Sequence, residues 1–179
     1  NLPARHDVWA FASDHVNVDL VFAGTEFGLF TSVDGGKAWA QIKSGMPVTQ
    51  VRDLTLHKRE SDVVMATFGR GFYVLDDYSA LCEITLTTIA ESARLYPLRH
   101  AYSFVPGGVA PAGAAGSLAI SGNFSTPNPP VGAWITYSVK DTIPVDTKLV
   151  LTISDNSGKQ IRRCELDRSV GLRRVIWNL

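Results

Sequence analysis

The sequence predicts an all-β protein, and three observations support this fold class. Short runs of β-branched and aromatic residues alternate with turn residues along most of the 179-residue chain. The first half repeats itself after 43 positions, so that Val21-Phe22-Ala23 matches Val64-Met65-Ala66. Helical periodicity is nearly absent, and we expect only one short helix, near Thr88 to Ala93.

The composition excludes several classes of partner and site. With 17 Lys and Arg against 17 Asp and Glu, the chain lacks the positive charge that nucleic acids select, so no nucleic-acid partner is predicted. No apolar run reaches the ~20 residues that span a bilayer, and no membrane insertion is predicted. The histidines lack metal-ligand spacing and no phosphate-binding loop occurs, so the sequence predicts neither a metal nor a cofactor.

The repeat has the length of one β-propeller blade, which usually has about 40 to 45 residues in four short strands. Four strands are predicted in the first unit, at Val8 to Ala12, Leu20 to Ala23, Leu29 to Ser32 and Trp39 to Ile42. Three are predicted in the second, at Arg52 to Leu56, Val63 to Thr67 and Phe72 to Leu75, with no fourth strand following. Residues 1–81 are therefore expected to form propeller blades.

A turn motif separates the last two predicted strands of the first unit. Ser32, Asp34, Gly36 and Trp39 occupy the fixed positions of the pattern S/T-x-D-x-G-x-x-W. In such a hairpin turn the aspartate accepts backbone N–H groups, glycine permits a positive φ, and the tryptophan packs beneath. We therefore interpret Asp34 as a structural residue, because a carboxylate committed to a turn is poorly suited to catalysis.

Together with residues 22–30 and 69–77, this motif resembles the Asp-box (BNR) repeat proteins described as glycosyl-hydrolase-like, including the propellers of sortilin and of xyloglucanases. The resemblance covers residues 1–81 and implies the terminal blades of a seven-bladed β-propeller. It also implies an exported bacterial protein, extracellular or periplasmic. The chain departs from the family pattern at Phe68 and Tyr73, where histidine and tryptophan are common, so no role of that histidine is carried over.

The remaining sequence predicts a linker and a second β domain. Residues 82–130 contain a Gly/Ala/Pro-rich stretch that favours a loop. Residues 131–179 hold four short strands and a hairpin signal at Asp155-Asn156-Ser157-Gly158, and resemble the immunoglobulin-like domain of flagellar hook-capping proteins. That domain is expected to be incomplete, and the chain to be part of a larger protein whose remaining blades are its partners.

Three residues are candidates for a ligand site. The loops that join the second and third strands of each unit should share one face, which brings Glu26 and Arg70 together near the propeller mouth. Asp53 lies on an innermost strand and joins them as a candidate. The alternative stays open that Arg70 pins a turn, with Glu26 or Asp53 as an ion-pair partner.

Three functions remain open at this level. We favour a noncatalytic segment involved in binding a glycan or a peptide, because about two blades do not enclose a pocket. The alternatives are part of a glycoside hydrolase, with catalytic carboxylates mostly outside this chain, and an interaction scaffold. Cys82 and Cys164 fit either one disulfide or two buried thiols.

Overall fold

The computed structural model of the protein describes Leu2 and residues 7–43, 45–102 and 129–178. Antiparallel sheets dominate these residues, which confirms the predicted all-β class. Two compact units divide the chain between Ile89 and Ala90.

The first unit contains two sheets in which each strand pairs with its neighbours in the sequence. The first sheet has the order β1-β2-β3-β4, formed by β1 Val8–Ser13, β2 Val21–Thr25, β3 Gly28–Ser32 and β4 Ala40–Ile42. The second has the order β5-β6-β7, formed by β5 Val51–His57, β6 Asp62–Thr67 and β7 Gly71–Leu75. Two short helices follow, α1 Ser79–Cys82 and α2 Leu86–Ala90. The strands lie within a residue or two of their predicted positions.

The two sheets repeat each other in register as well as in strand order. Val8 of β1 pairs with Thr25, and Val51 of β5 pairs with Thr67. Each of these threonines donates its hydroxyl hydrogen bond to the carbonyl of the glycine that opens the next strand, Thr25 at 3.0 Å and Thr67 at 2.7 Å. The turn after Thr67 is one residue longer, so β2 matches β6 at an offset of 42 positions and not at the predicted 43.

Small residues let the two sheets approach closely. The face of the first sheet toward β5 carries Ala10, Ala12 and Gly24. Ala10 of β1 pairs with Gly24 of β2, and Ala12 lies two residues further along β1. A Cβ atom at Gly24 would lie 2.8 Å from Val51 Cγ1 and 2.9 Å from the Val51 carbonyl oxygen. The backbone of β5 therefore rests directly on β2, and the larger core side chains surround this contact. They are Leu20, Phe22, Leu29, Val51, Leu54, Val63, Met65 and Tyr78.

A buried tyrosine joins the two sheets at the end where β1 leads into β2. The Tyr78 hydroxyl donates to Asp14 Oδ1 at 2.7 Å, and its ring meets that of Phe22 edge to face at 5.2 Å. Burial disfavours the charged form of Asp14, but the backbone N–H groups of Asn17 and Val16 and the Tyr78 hydroxyl more than offset it, so the pKa of Asp14 is lowered. The carboxylate is thus a fixed acceptor in the core.

The second unit is also built of antiparallel strands. One sheet has the order β12-β9-β8 and the other pairs β10 with β11. The strands are β8 Ala93–Leu95, β9 Ala133–Val139, β10 Val150–Ser154, β11 Gln160–Glu165 and β12 Gly171–Trp177. The predicted hairpin turn joins β10 to β11, where Asp155 Oδ1 accepts the backbone N–H groups of Ser157 and Lys159.

Residues 82–130, the predicted linker, contain regular secondary structure. Helix α2 and strand β8 lie inside it, and β8 pairs with β9 as part of the second unit. Three residues are too few to show a strand pattern, and their partners are distant in sequence, so the pairing is invisible to local rules. The Gly/Ala/Pro-rich stretch from Val109 to Gly116 lies outside the described residues.

We expect Gly24→Ala to destabilise the first unit by about 1–3 kcal/mol, because the added methyl group would lie 2.8 Å from Val51 Cγ1 and 2.9 Å from the Val51 carbonyl oxygen, closer than van der Waals contact allows. Ala66 holds the equivalent position in β6, so Ala66→Ser serves as a control and should change stability by less than about 0.5 kcal/mol. Hydrogen exchange of the β2 and β6 amides measures the loss in this unit alone. Unchanged exchange in Gly24→Ala would contradict the close contact.

We expect Tyr78→Phe to cost about 1–3 kcal/mol at pH 7, because the buried Asp14 carboxylate loses a donor. The folded-state pKa of Asp14 is depressed, so its contribution is present above the unfolded-state pKa and is lost as pH falls through the folded value. The difference between wild type and variant should therefore shrink below about pH 4.

Hydrogen exchange of the same amides at pH 7 and at pH 3 measures this difference. Tyr102→Phe removes a hydroxyl from an exposed tyrosine and should have no effect at either pH. A Tyr78→Phe effect that stays the same at both pH values would show that the Asp14 charge is not involved.

Candidate ligand site

The strand pairing places the turns of Glu26 and Arg70 at the same end of the two sheets. Glu26 lies half-buried in the turn between β2 and β3, and Arg70 lies exposed between β6 and β7. Within the part of the chain that the structure describes, no ion pair joins these two side chains. The two residues therefore share an end of the unit without being partners.

Asp53 lies on β5 with its side chain exposed. It pairs with Ala66 on the face of the second sheet that points away from the first sheet. Its Oδ1 accepts the backbone N–H of Leu54 at 2.8 Å. This carboxylate is engaged locally, and among the described residues it forms no ion pair with Arg70.

The turn from Ser32 to Trp39 is stabilised by its own side chains. Asp34 Oδ1 accepts the Ala38 N–H at 2.9 Å and the Ser32 hydroxyl at 2.7 Å, and these two hydrogen bonds hold the pKa of Asp34 below its ordinary value. Trp39 donates its indole N–H to the Gly36 carbonyl, and Gly36 has a φ of 89°. The Asp34 carboxylate is committed to the turn, at the end of the sheet opposite Glu26.

Two equivalent β-bulges mark the end of the unit that carries Glu26 and Arg70. The register of β1 on β2 shifts between Val8 and Ala10, and that of β5 on β6 shifts between Val51 and Asp53. The extra residue is Trp9 in one strand and its counterpart Arg52 in the other. A bulge leaves its extra residue out of the ladder and redirects the side chain.

The redirected side chains stack on each other across the two sheets. Arg52 Cζ lies 3.8 Å from the centroid of the Trp9 ring and 5.3 Å from that of Phe68, which lies in the turn before Arg70. Gln50 holds the group together, because its side-chain oxygen accepts Arg52 Nη2 at 2.6 Å and its carbonyl accepts the Phe68 N–H at 2.9 Å. We call Trp9, Arg52 and Phe68 the Trp9–Arg52–Phe68 cluster.

The Trp9–Arg52–Phe68 cluster is open to solvent. Trp9 is 42 % exposed and Phe68 67 %, and Arg52 is also exposed. Among the described residues, no carboxylate forms an ion pair with Arg52. The cluster therefore presents aromatic surface and an uncompensated guanidinium on the same side of the molecule, which suits a ligand that is partly apolar and partly polar.

The residues predicted from the sequence, Glu26, Arg70 and Asp53, do not include the members of this cluster, although Phe68 lies in the same turn as Arg70. Bulges leave no local pattern, so nothing near Trp9 indicates that it stands outside the ladder. A signal was present in the repeat, because Trp9 and Arg52 are separated by the same 43 positions as the two units. Matching exposed residues across the repeat would have paired them.

Other chemistry finds little support in the described residues. Both cysteines are free thiols, and burial, with the nearby Asp14 charge, raises the pKa of Cys82 to about 11, so this thiol is a poor nucleophile at neutral pH. In residues 7–43, 45–102 and 129–178, no group of three His, Cys, Asp or Glu side chains is arranged to hold a metal. None of the helices there has the length and apolar character needed to cross a membrane.

Comparison with known proteins assigns no family to the chain. No family model matches it, and neither the curated proteins nor the solved structures include a significant match.

Proposed function

We propose that this chain is a noncatalytic, glycan-binding segment of an exported Asp-box propeller protein, and that the two sheets of its first unit are consecutive blades. The Trp9–Arg52–Phe68 cluster is the observation that carries the binding role. The repeated strand order, register, bulge and threonine-closed turn support the blade interpretation.

The chemistry of the cluster favours a sugar ligand. An aromatic ring presents a flat apolar face that packs against the C–H groups of a sugar ring, while neighbouring polar groups bond its hydroxyls. Arg52 and Gln50 supply such polar groups beside the rings of Trp9 and Phe68. Leaving two large rings in water is unfavourable for the isolated protein, which supports a role in recognition.

Binding is favoured over hydrolysis by the state of the candidate carboxylates. A glycosidase needs two carboxylates about 5 to 9.5 Å apart across the scissile bond. Asp53 is bonded to the backbone of its own strand, and Asp34 is fixed in a turn at the opposite end of the first sheet. Glu26 lies in a turn at the same end of the unit as the cluster, which fits a ligand contact.

The uncovered face of the second sheet supports a place among further blades. The β5-facing side of the first sheet is buried, whereas the equivalent side of the second sheet leaves Phe72 77 % and Val74 50 % exposed. Their counterparts in the first sheet, Leu29 and Thr31, are both buried. A further sheet of the same kind would cover this face as the second sheet covers the first.

We expect Trp9→Ala and Phe68→Ala each to weaken glycan binding by about two- to twelvefold, because each removes a ring worth roughly 0.5–1.5 kcal/mol. Isothermal titration against xyloglucan, β-glucan and galacturonan oligosaccharides measures the effect. Phe11→Ala removes an exposed ring of the same strand β1 outside the cluster and serves as the matched control. Equal affinity of the control and the cluster variants would contradict the proposal.

We expect the isolated chain to self-associate through the uncovered face, since exposed apolar strands seek a partner. Sedimentation velocity at increasing protein concentration should show association that Phe72→Lys reduces. Val16→Lys changes an equally exposed residue in the loop between β1 and β2 and should leave association unchanged. Association that Val16→Lys and Phe72→Lys reduce equally would argue against this face.

A further inference from the structure

We propose that Arg52 binds a carboxylate and that the ligand of the Trp9–Arg52–Phe68 cluster is an acidic, uronate-containing glycan. This inference rests on the proposed glycan-binding function and adds the charge of the sugar. It depends on how the guanidinium is held, which of its donors are used, and which charges surround it.

The rings orient the guanidinium so that its edge remains available. At 3.8 Å from the Trp9 centroid, the guanidinium stacks on the indole face, and the Phe68 ring lies near it at 5.3 Å. Stacking occupies a face of the planar group and leaves its N–H bonds, which lie in the plane, directed past the rings. Two parallel N–H groups on that edge match the two oxygens of a carboxylate.

Most donors of Arg52 remain unused within the described residues. A guanidinium carries five N–H donors, and the acceptor found for Arg52 is the side-chain oxygen of Gln50, which binds Nη2 at 2.6 Å. This one bond fixes the rotation of the group about its stem. The arginine is therefore preorganised before a ligand arrives, which reduces the entropy lost on binding.

The neighbouring acids do not neutralise this arginine. Asp53 follows it in the chain, but its carboxylate accepts the Leu54 N–H and lies on the face paired with Ala66. Glu26, in the turn after β2, forms no ion pair with Arg52 within the described residues. Because the whole chain has 17 positive and 17 negative side chains, attraction of an acidic ligand would be local to this site.

A uronate sugar uses both parts of the cluster at once. Its pyranose ring offers an apolar face to the exposed rings of Trp9 and Phe68, and its carboxylate, attached at the edge of that ring, reaches the edge of Arg52. A neutral sugar would offer Arg52 hydroxyl oxygens but no negative charge and no pair of carboxylate oxygens. Arginine in place of lysine is also informative, because only the planar fork both stacks on indole and pairs with two oxygens.

The test compares trigalacturonate with its methyl ester, which keeps the sugar rings and removes the charges. By isothermal titration, wild type should bind the acid at least about tenfold more tightly than the ester. Arg52→Gln should abolish this preference, and Arg52→Lys, which keeps the charge, should lose most of it. Arg162→Gln removes another exposed arginine, from β11 of the second unit, and should retain the full preference.

The outcomes distinguish failure of the carboxylate inference from failure of the proposed glycan binding. If wild type binds acid and ester equally and Trp9→Ala weakens both, glycan binding stands and the carboxylate inference is wrong. If Arg52→Gln keeps the preference for the acid, another group binds the carboxylate and the inference is also wrong. If wild type binds neither these probes nor the neutral oligosaccharides, the proposed function itself fails. Circular dichroism of Arg52→Gln and Arg52→Lys checks that both are folded.

Discussion

The contact between β2 and β5 is the constraint on which the rest of the first unit depends. Gly24 has no side chain, so the carbonyl oxygen of Val51 can lie 2.9 Å from the place where any larger residue would put its Cβ atom. This close approach brings the starts of β1 and β5 side by side, and Trp9 then reaches Arg52. The geometry of the candidate site is therefore a consequence of packing in the core and not of the loops that surround it.

The two ends of the first unit use their polar groups differently. At one end, Asp14 accepts the Tyr78 hydroxyl and two backbone N–H groups, and Asp34 satisfies the turn after β3. These acids serve the fold, since their lone pairs already have protein donors. At the other end, Arg52 keeps donors without protein acceptors among the described residues, beside exposed rings. The first end therefore holds carboxylates that already have protein donors, and the second end holds the candidate site.

The sequence predicted the elements better than their relations. Strand alternation and turn residues located all seven strands of the first unit, because both are local properties. The bulges at Trp9 and Arg52 arise from pairing between strands, and the helix near Thr88 begins earlier because Thr85 accepts the Thr88 N–H at 3.2 Å. Charge and loop position point to Glu26 and Arg70, and an innermost strand points to Asp53, but neither criterion shows where a side chain is directed.

The residues at the two equivalent bulges, Trp9 and Arg52, give a reason to connect the bulges with function. If the two bulges served only to end their strands, we would expect residues of the same type at both. The two bulges hold the indole of Trp9 and the guanidinium of Arg52, which attract each other by a cation–π interaction. Both side chains have polar N–H groups at their edges, so both can remain in water. One bulge thus supplies the stacking surface and the other the charge. Their pairing needs both sheets, so the site forms only when the two repeats pack together.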